Sequence, residues 1–442
     1  MYFSIVVVKL CVMVSVIILI NLMKHWQLLL LPSILEVEYS IKEEDQVFYI
    51  MLCYMAYFYG MMAGTYFWTK IEEKMSSQGS ILISLLALGV FNFMQGTTKS
   101  ISGFAFIRFC TGFSCNVNKI GSSYVHEQIP KEHRKTAFFI NSGSGLIGTV
   151  SGPFVGHLLN DYTQSFMITC FLITMAIFLV AICNVFVFMH NDIGEKEVQE
   201  EAVVLFKRHP STIGFTMKHL VISCFWTNLT SRKLILCFLI NSSVMQSDFV
   251  LTSLLFTTKF HGGDYAVSNF TIGLCEFISA ILGLFSLGMA NYIVPRLISY
   301  KFYIMIIIAY SIVCTMLTPF IKFYFEGQEI KYITFYVFYI LKYVVCYFLY
   351  TSLLRYFINL SIFKPYRKPL NIMLGTFRSM VDGMIFNLLI PLFLILGRNS
   401  QLIGIGFLNY GITFLIFGAL QFYTLTLLTT FKMPREEAYM TI

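Results

Sequence analysis

Among the residues that carry charge inside otherwise apolar sequence, five are candidates for proton coupling or substrate contact: Lys24, Arg108, Lys119, Asp248 and Glu276. A charge at the centre of hydrocarbon costs about 2.5–3.5 kcal/mol even on lenient scales, so such a group faces a cavity, takes a partner or reaches back to the interface. A buried carboxylate tends towards neutrality through desolvation, and a nearby Lys or Arg restores its charge. That competition lets Asp248 or Glu276 load a proton in one conformation and release it in another. Lys24, Arg108 and Lys119 make the first half of the chain basic, which suits an organic anion or a zwitterion. Lys119 stands eleven residues after Arg108, about three helical turns, and so shares its face; snorkelling to the interface accounts for Lys119 equally well. His25, Asn241, Gln246 and Lys342 are further polar groups within apolar runs. Arg378 and Asp382, four residues apart on one helix face, read as a structural pair.

Other chemistries find no support. Ser142 and Ser144 lie beside glycines without a matched His/Asp arrangement, so a membrane-embedded enzyme is not expected. The 11 cysteines form no CxxC pair, and His25 has no companion ligands, so neither a metal site nor a disulfide framework is expected. No cofactor is implied. The net charge of +8 is spread over short loops rather than gathered in one patch, which argues against nucleic acid.

The elements that must hold these residues follow from hydropathy. The chain has 442 residues, 57% of them hydrophobic and only 12% charged, against roughly 25% charged in a soluble domain. Apolar runs of about 20 residues recur one after another, which is the length a bilayer demands. They read as spans over Val6–Leu31, Val47–Trp68, Ser80–Thr98, Gly103–Tyr124, Ala137–Leu159 and Phe166–Met189. After a polar stretch the runs resume at Leu234–Thr257, Phe270–Ala290, Phe302–Phe320, Tyr332–Phe357, Leu370–Leu396 and Ile403–Leu428. Bases concentrate in alternate loops, such as Lys131, Arg134 and Lys135 or Lys364, Arg367 and Lys368, and the positive-inside rule then places both termini in the cytoplasm. The expected fold is all-α: twelve transmembrane helices in two six-helix bundles, 1–190 and 234–442, joined by a cytoplasmic linker over 191–233.

The fifth span contains Gly145, Gly148, Gly152, Pro153 and Gly156. Gly148 and Gly152 form a small-xxx-small pair that permits close helix contact, and Pro153 interrupts the helical hydrogen bonding. The pattern Gly-x-x-x-Gly-Pro-x-x-Gly resembles the fifth-helix signature of proton antiporters in the major facilitator superfamily, although His157 stands where the family has a further glycine. Arg108 and Gly112 resemble the arginine–glycine pair of the family's fourth helix, whose arginine is associated with proton coupling. The loop after Phe67-Trp68 resembles the family's gating loop, with Glu73 at its aspartate and Lys74 at its arginine, in the manner of the zinc-induced-facilitator-like branch. The resemblance implies the twelve-helix fold, alternating access, and gating or conformational roles for Glu73, Lys74, Gly148, Gly152, Pro153 and Gly156.

The reading is a secondary active transporter of a small organic solute (a drug-like compound, an organic anion or a zwitterion), with proton-coupled antiport expected. A nutrient facilitator or symporter is the alternative, and a non-transporting sensor ranks below it. Expected partners are the solute, protons and the lipid bilayer, with the chain working as a monomer.

Overall fold

The computed structural model describes residues 2–74, 77–115, 134–189, 229–257, 268–292, 299–320, 336–342, 373–385 and 408–430. Every regular element in them is helical. In chain order they are α1 (Tyr2–His25), α2 (Leu31–Val37), α3 (Glu43–Lys74), α4 (Ser77–Thr97), α5 (Ile101–Ser114), α6 (Arg134–Thr163), α7 (Phe166–Met189), α8 (Leu229–Thr257), α9 (Asn269–Tyr292) and α10 (Tyr300–Leu317). A 3₁₀ turn at Thr318–Phe320 follows α10, and α11 (Leu408–Thr429) comes last. Residues 336–342 and 373–385 are helical as well. By length and hydropathy, five helices among the described residues are able to cross a membrane: Gly79–Thr97, Phe166–Phe186, Ser231–Ser253, Lys301–Phe320 and Ile412–Thr429.

The distribution of side chains is that of a protein in lipid. On α7, Ile168, Phe171, Met175, Leu179, Ile182 and Phe186 point outward along one stripe, and Phe186 is 69% exposed. The opposite face, with Cys170, Ile173 and Ile177, is buried, and α7 packs on α4. Polar groups lie on the inside of that seam. Asn92 of α4 donates to the Cys170 carbonyl at 2.9 Å and to Thr174 Oγ1 at 3.0 Å. Apolar outside and hydrogen-bonded polar inside is the arrangement hydrocarbon imposes, because an unsatisfied polar group facing lipid has no water to turn to. The chain is a multi-pass membrane protein.

Glycines set the closest approaches. A Cβ on Gly148 would overlap the Ile18 carbonyl oxygen of α1, one on Gly156 would overlap that of Trp26, and one on Gly152 would come within 2.9 Å of that of Leu22. The glycine face of α6 is thus a backbone-to-backbone seam with α1. The other face of α6 meets α9, where Phe154 stacks on Phe277 at 5.4 Å between ring centroids. Pro153 is buried within α6.

Two boundaries differ from expectation. The first span does not run unbroken to Leu31: α1 ends at His25, and α2 starts at Leu31 with a proline in its first turn, where a missing N–H costs nothing. Between them the chain makes short turns, the Leu28 amide donating to the His25 carbonyl at 2.8 Å and the Leu30 amide to that of Gln27 at 3.0 Å. α8 begins at Leu229, so Arg232 and Lys233 are helical rather than part of the linker. Lys233 reaches Thr430 Oγ1 at 2.8 Å, anchoring the start of α8 to the end of α11. Linker residues 191–228 lie outside the described residues.

Candidate functional site

The break after His25 leaves Lys24 and His25 at the end of α1, both buried. Lys24 Nζ donates to Gln246 Oε1 of α8 at 2.5 Å, and Gln246 Nε2 lies 2.8 Å from His25 Nε2. The other imidazole nitrogen, Nδ1, is 3.5 Å from the Tyr54 hydroxyl of α3. Phe249, one turn along α8 from Gln246, meets the imidazole edge-on at 5.3 Å. Residues of α1 and α8, distant in sequence, therefore form one polar junction.

Arg108 lies beside it on α5, fully buried. Its Nη2 donates a long bond to the Lys24 carbonyl at 3.4 Å, while Nε and Nη1 have no hydrogen-bond partner among the described residues. The guanidinium lies over the Tyr57 ring at 4.9 Å and the Tyr54 ring at 5.8 Å. Gly112 makes this cage possible: a Cβ there would overlap the Tyr57 carbonyl oxygen, so only glycine lets α5 come close enough to α3. Aromatic faces attract a cation, but they do not satisfy its N–H groups.

The second half holds two different acids. Asp248 of α8 is paired: Lys342 Nζ stands 3.0 Å from its Oδ1 and also donates to Thr318 Oγ1 at 2.8 Å and Thr252 Oγ1 at 3.2 Å. Glu276 of α9 has no cation partner among the described ion pairs. Its Oε1 accepts from Ser253 at 2.7 Å and Tyr339 at 2.9 Å, and its Oε2 is buried without a hydrogen bond among the described residues. Arg378 Nε and Asp382 Oδ2 are 3.8 Å apart, Arg378 being 31% exposed, and the charges of both act on Lys24.

Of the residues expected from sequence, Lys24 and Arg108 are brought together, and Glu276 is held by Ser253 of α8 and by Tyr339. Asp248 belongs to a separate ion pair. Lys119 lies outside the described residues. Glu73 and Lys74 close α3, and their side chains are likewise outside what is described. Gln246, Ser253 and Tyr339 complete the site. Gln246 stood out as a polar group within an apolar run, whereas hydroxyls such as those of Ser253 and Tyr339 are common in apolar helices and their types alone did not single them out. Among the described residues no group of three or more His, Cys, Asp or Glu side chains is placed to hold a metal ion.

Solved structures share this fold over nearly the whole chain. A POT family transporter in complex with 5-aminolevulinic acid superimposes with a TM-score of 0.67 at 13% identity, covering 96% of each chain. A POT family transporter in complex with a thioalcohol-conjugated peptide gives the same values. The human organic anion transporter TETRAN gives 0.61 at 13% identity, covering 95% of this chain and 98% of that one. In sequence, a probable peptide/nitrate transporter of Arabidopsis thaliana is 28% identical over 126 residues, a match spanning 28% of this chain and 26% of that relative.

These comparisons overturn the expectation of antiport. The similar proteins are described as a probable peptide/nitrate transporter, an organic anion transporter and POT family transporters in complex with 5-aminolevulinic acid or a conjugated peptide, which favours the symporter alternative over drug:proton exchange. The glycines that suggested exchange are spent on the α1–α6 seam within the first half of the chain, so close packing accounts for them. A transport role rather than an enzymatic one follows from a family model described as Major Facilitator Superfamily, which matches residues 10–368. The chain belongs to the Major Facilitator Superfamily.

Proposed function

We propose that the protein is a proton-coupled symporter for a small organic solute bearing a carboxylate, a peptide-like zwitterion or an organic anion. The observation that carries this reading is Arg108: a buried guanidinium with two nitrogens, Nε and Nη1, that have no hydrogen-bond partner among the described residues. Leaving a charge buried and unpaired is strongly unfavourable, and the geometry of a guanidinium edge matches a carboxylate through two parallel hydrogen bonds. A solute carboxylate supplies the missing partner. Lys24, whose own carbonyl accepts from Arg108, adds a second positive charge beside it.

Glu276 is the proton carrier in this reading. With Ser253 and Tyr339 both donating to Oε1, the proton of a neutral carboxyl sits on Oε2, the oxygen left free to donate to the solute or to release. Asp248 is less suited, because Lys342 already neutralises it. Transport then proceeds by alternating access of two six-helix bundles, 1–190 and 234–442, about a site near the mid-plane. The termini and the 191–233 linker lie in the cytoplasm, and a single copy of the chain suffices. The likeness to the POT fold and to the Arabidopsis transporter supports this branch of the superfamily.

The test is uptake into proteoliposomes, with 5-aminolevulinic acid and a dipeptide as probes. An inward proton gradient should drive accumulation. Arg108→Gln should abolish binding of the solute, and Glu276→Gln should leave solute exchange intact while removing the response to the gradient. Accumulation driven only by an outward proton gradient, or unchanged binding in Arg108→Gln, would sink the proposal.

A further inference from the structure

One contact between the two halves is built from two bases and an amide. Gln246 presents its carbonyl oxygen to Lys24 Nζ and its amide nitrogen to His25 Nε2, and all three side chains are buried. A primary amide offers an acceptor at one atom and donors at the other. With Lys24 donating to Oε1, the Gln246 amide donates to His25 Nε2, which must then be bare. Turning the amide around keeps the count, since Lys24 would become the bare amine and His25 Nε2 would hold the hydrogen. In either arrangement one proton faces Gln246 across the two bases. A second proton leaves a donor facing a donor, and the chain of bonds cannot close.

The surroundings sharpen this restriction. Lys24 on α1, Arg108 on α5 and Arg378 of residues 373–385 all act on His25 as positive charges. Asp382 is the carboxylate that acts on Lys24. Tyr54 of α3 and Phe249 of α8 cover the imidazole, and α6 approaches the His25 backbone at Gly152. A doubly protonated His25 would join three cations with one nearby carboxylate in a site of low dielectric, where like charges repel strongly.

We propose that Gln246 is a positioning residue that ties proton occupancy to the seam between the halves. The Lys24–Gln246–His25 chain closes over one proton and is broken by a second, so protonation of His25 while Lys24 keeps its own proton releases α1 from α8. This deepens the symport reading and rests on it for the direction of travel, while the chemistry of the junction stands on its own atoms.

The experiment uses the full chain in lipid nanodiscs, with neither solute nor gradient. Amide hydrogen exchange over residues 241–253 of α8 is compared at about pH 5.5 and about pH 8, a window that spans histidine titration, after correction for the chemical exchange rate. Loss of a charged hydrogen bond should speed exchange at the acid end by about tenfold or more. His25→Gln keeps an accepting oxygen near the imidazole position and gains no proton, so it should stay protected at both values. Gln246→Leu should exchange fast at both. Nitrogen-15 shifts of histidine-labelled wild type provide the same test without substitution, since acid should doubly protonate His25 as α8 loses protection. Equal protection of wild type at both values, an acid response retained in His25→Gln, or a doubly protonated His25 beside a still-protected α8 would overturn the proposal. Failure of uptake alongside an intact acid response would fault the symport reading alone.

Discussion

The two halves of the chain bury positive charge in opposite ways. In the second half, Lys342 is fully provided for: a carboxylate at 3.0 Å, two threonine hydroxyls and the Phe414 ring at 5.4 Å surround its ammonium. In the first half, Arg108 has two tyrosine faces and one long bond to a backbone carbonyl, with two nitrogens unmatched among the described residues. A charge neutralised in place is architecture. A charge left half-satisfied beside the junction of two halves is, in the proposed reading, where the solute carboxylate supplies the counter-ion.

Substitutions can break or sharpen that contrast. The largest effect on stability is expected at Lys342–Asp248, because removing one partner of a buried pair costs about 3–5 kcal/mol. Lys342→Met and Asp248→Asn should each lower the unfolding temperature sharply in detergent, whereas the double variant should recover most of the loss. A double variant no better than either single one would mean the pair is not the structural unit described. Gly156→Ala comes next: the new methyl meets the Trp26 carbonyl rather than a movable side chain, and overpacking of this kind costs about 1–3 kcal/mol. Arg108→Gln should invert the pattern, leaving thermal stability unchanged or raised while abolishing solute-induced stabilisation. The smallest effect belongs to Arg378→Gln, since its partner is 3.8 Å away and the guanidinium is partly exposed. Asp382 itself is buried, so the loss exceeds that of a surface pair but stays below that of Lys342→Met, and the unfolding temperature should fall only slightly.

Parts of this contrast were legible in the sequence, and the reasons differ by residue. The sixth apolar run matches α7 end to end, Phe166–Met189, because uninterrupted hydropathy and a lipid-facing stripe are the same physical fact. Arg108 stood out because hydrocarbon penalises guanidinium wherever it occurs. The end of α1 at His25 was not legible, since Trp26–Leu31 is as apolar as a helix interior and only Pro32 hints at a restart. Nor was the Lys24–Gln246 bond, which joins residues 222 positions apart, a contact that no local spacing encodes. Glu276 was visible as a buried acid, but the hydroxyls of Ser253 and Tyr339 that orient it come from α8 and from residues 336–342. The glycines of α6 were read correctly as a close-approach face. Their partner was not legible, because small residues announce that something comes near without saying what.

That partner has a mechanical consequence. With the carbonyls of Ile18, Leu22 and Trp26 lying at or close to where side chains would otherwise stand on Gly148, Gly152 and Gly156, α1 and the turn after it have no cushion against α6. On its far flank α6 carries Phe154, stacked on Phe277 of α9. In the proposed alternating access, a separation of α6 from α9 would carry Lys24 and His25 along, with α6 acting as a rigid lever between the aromatic seam and the basic pocket.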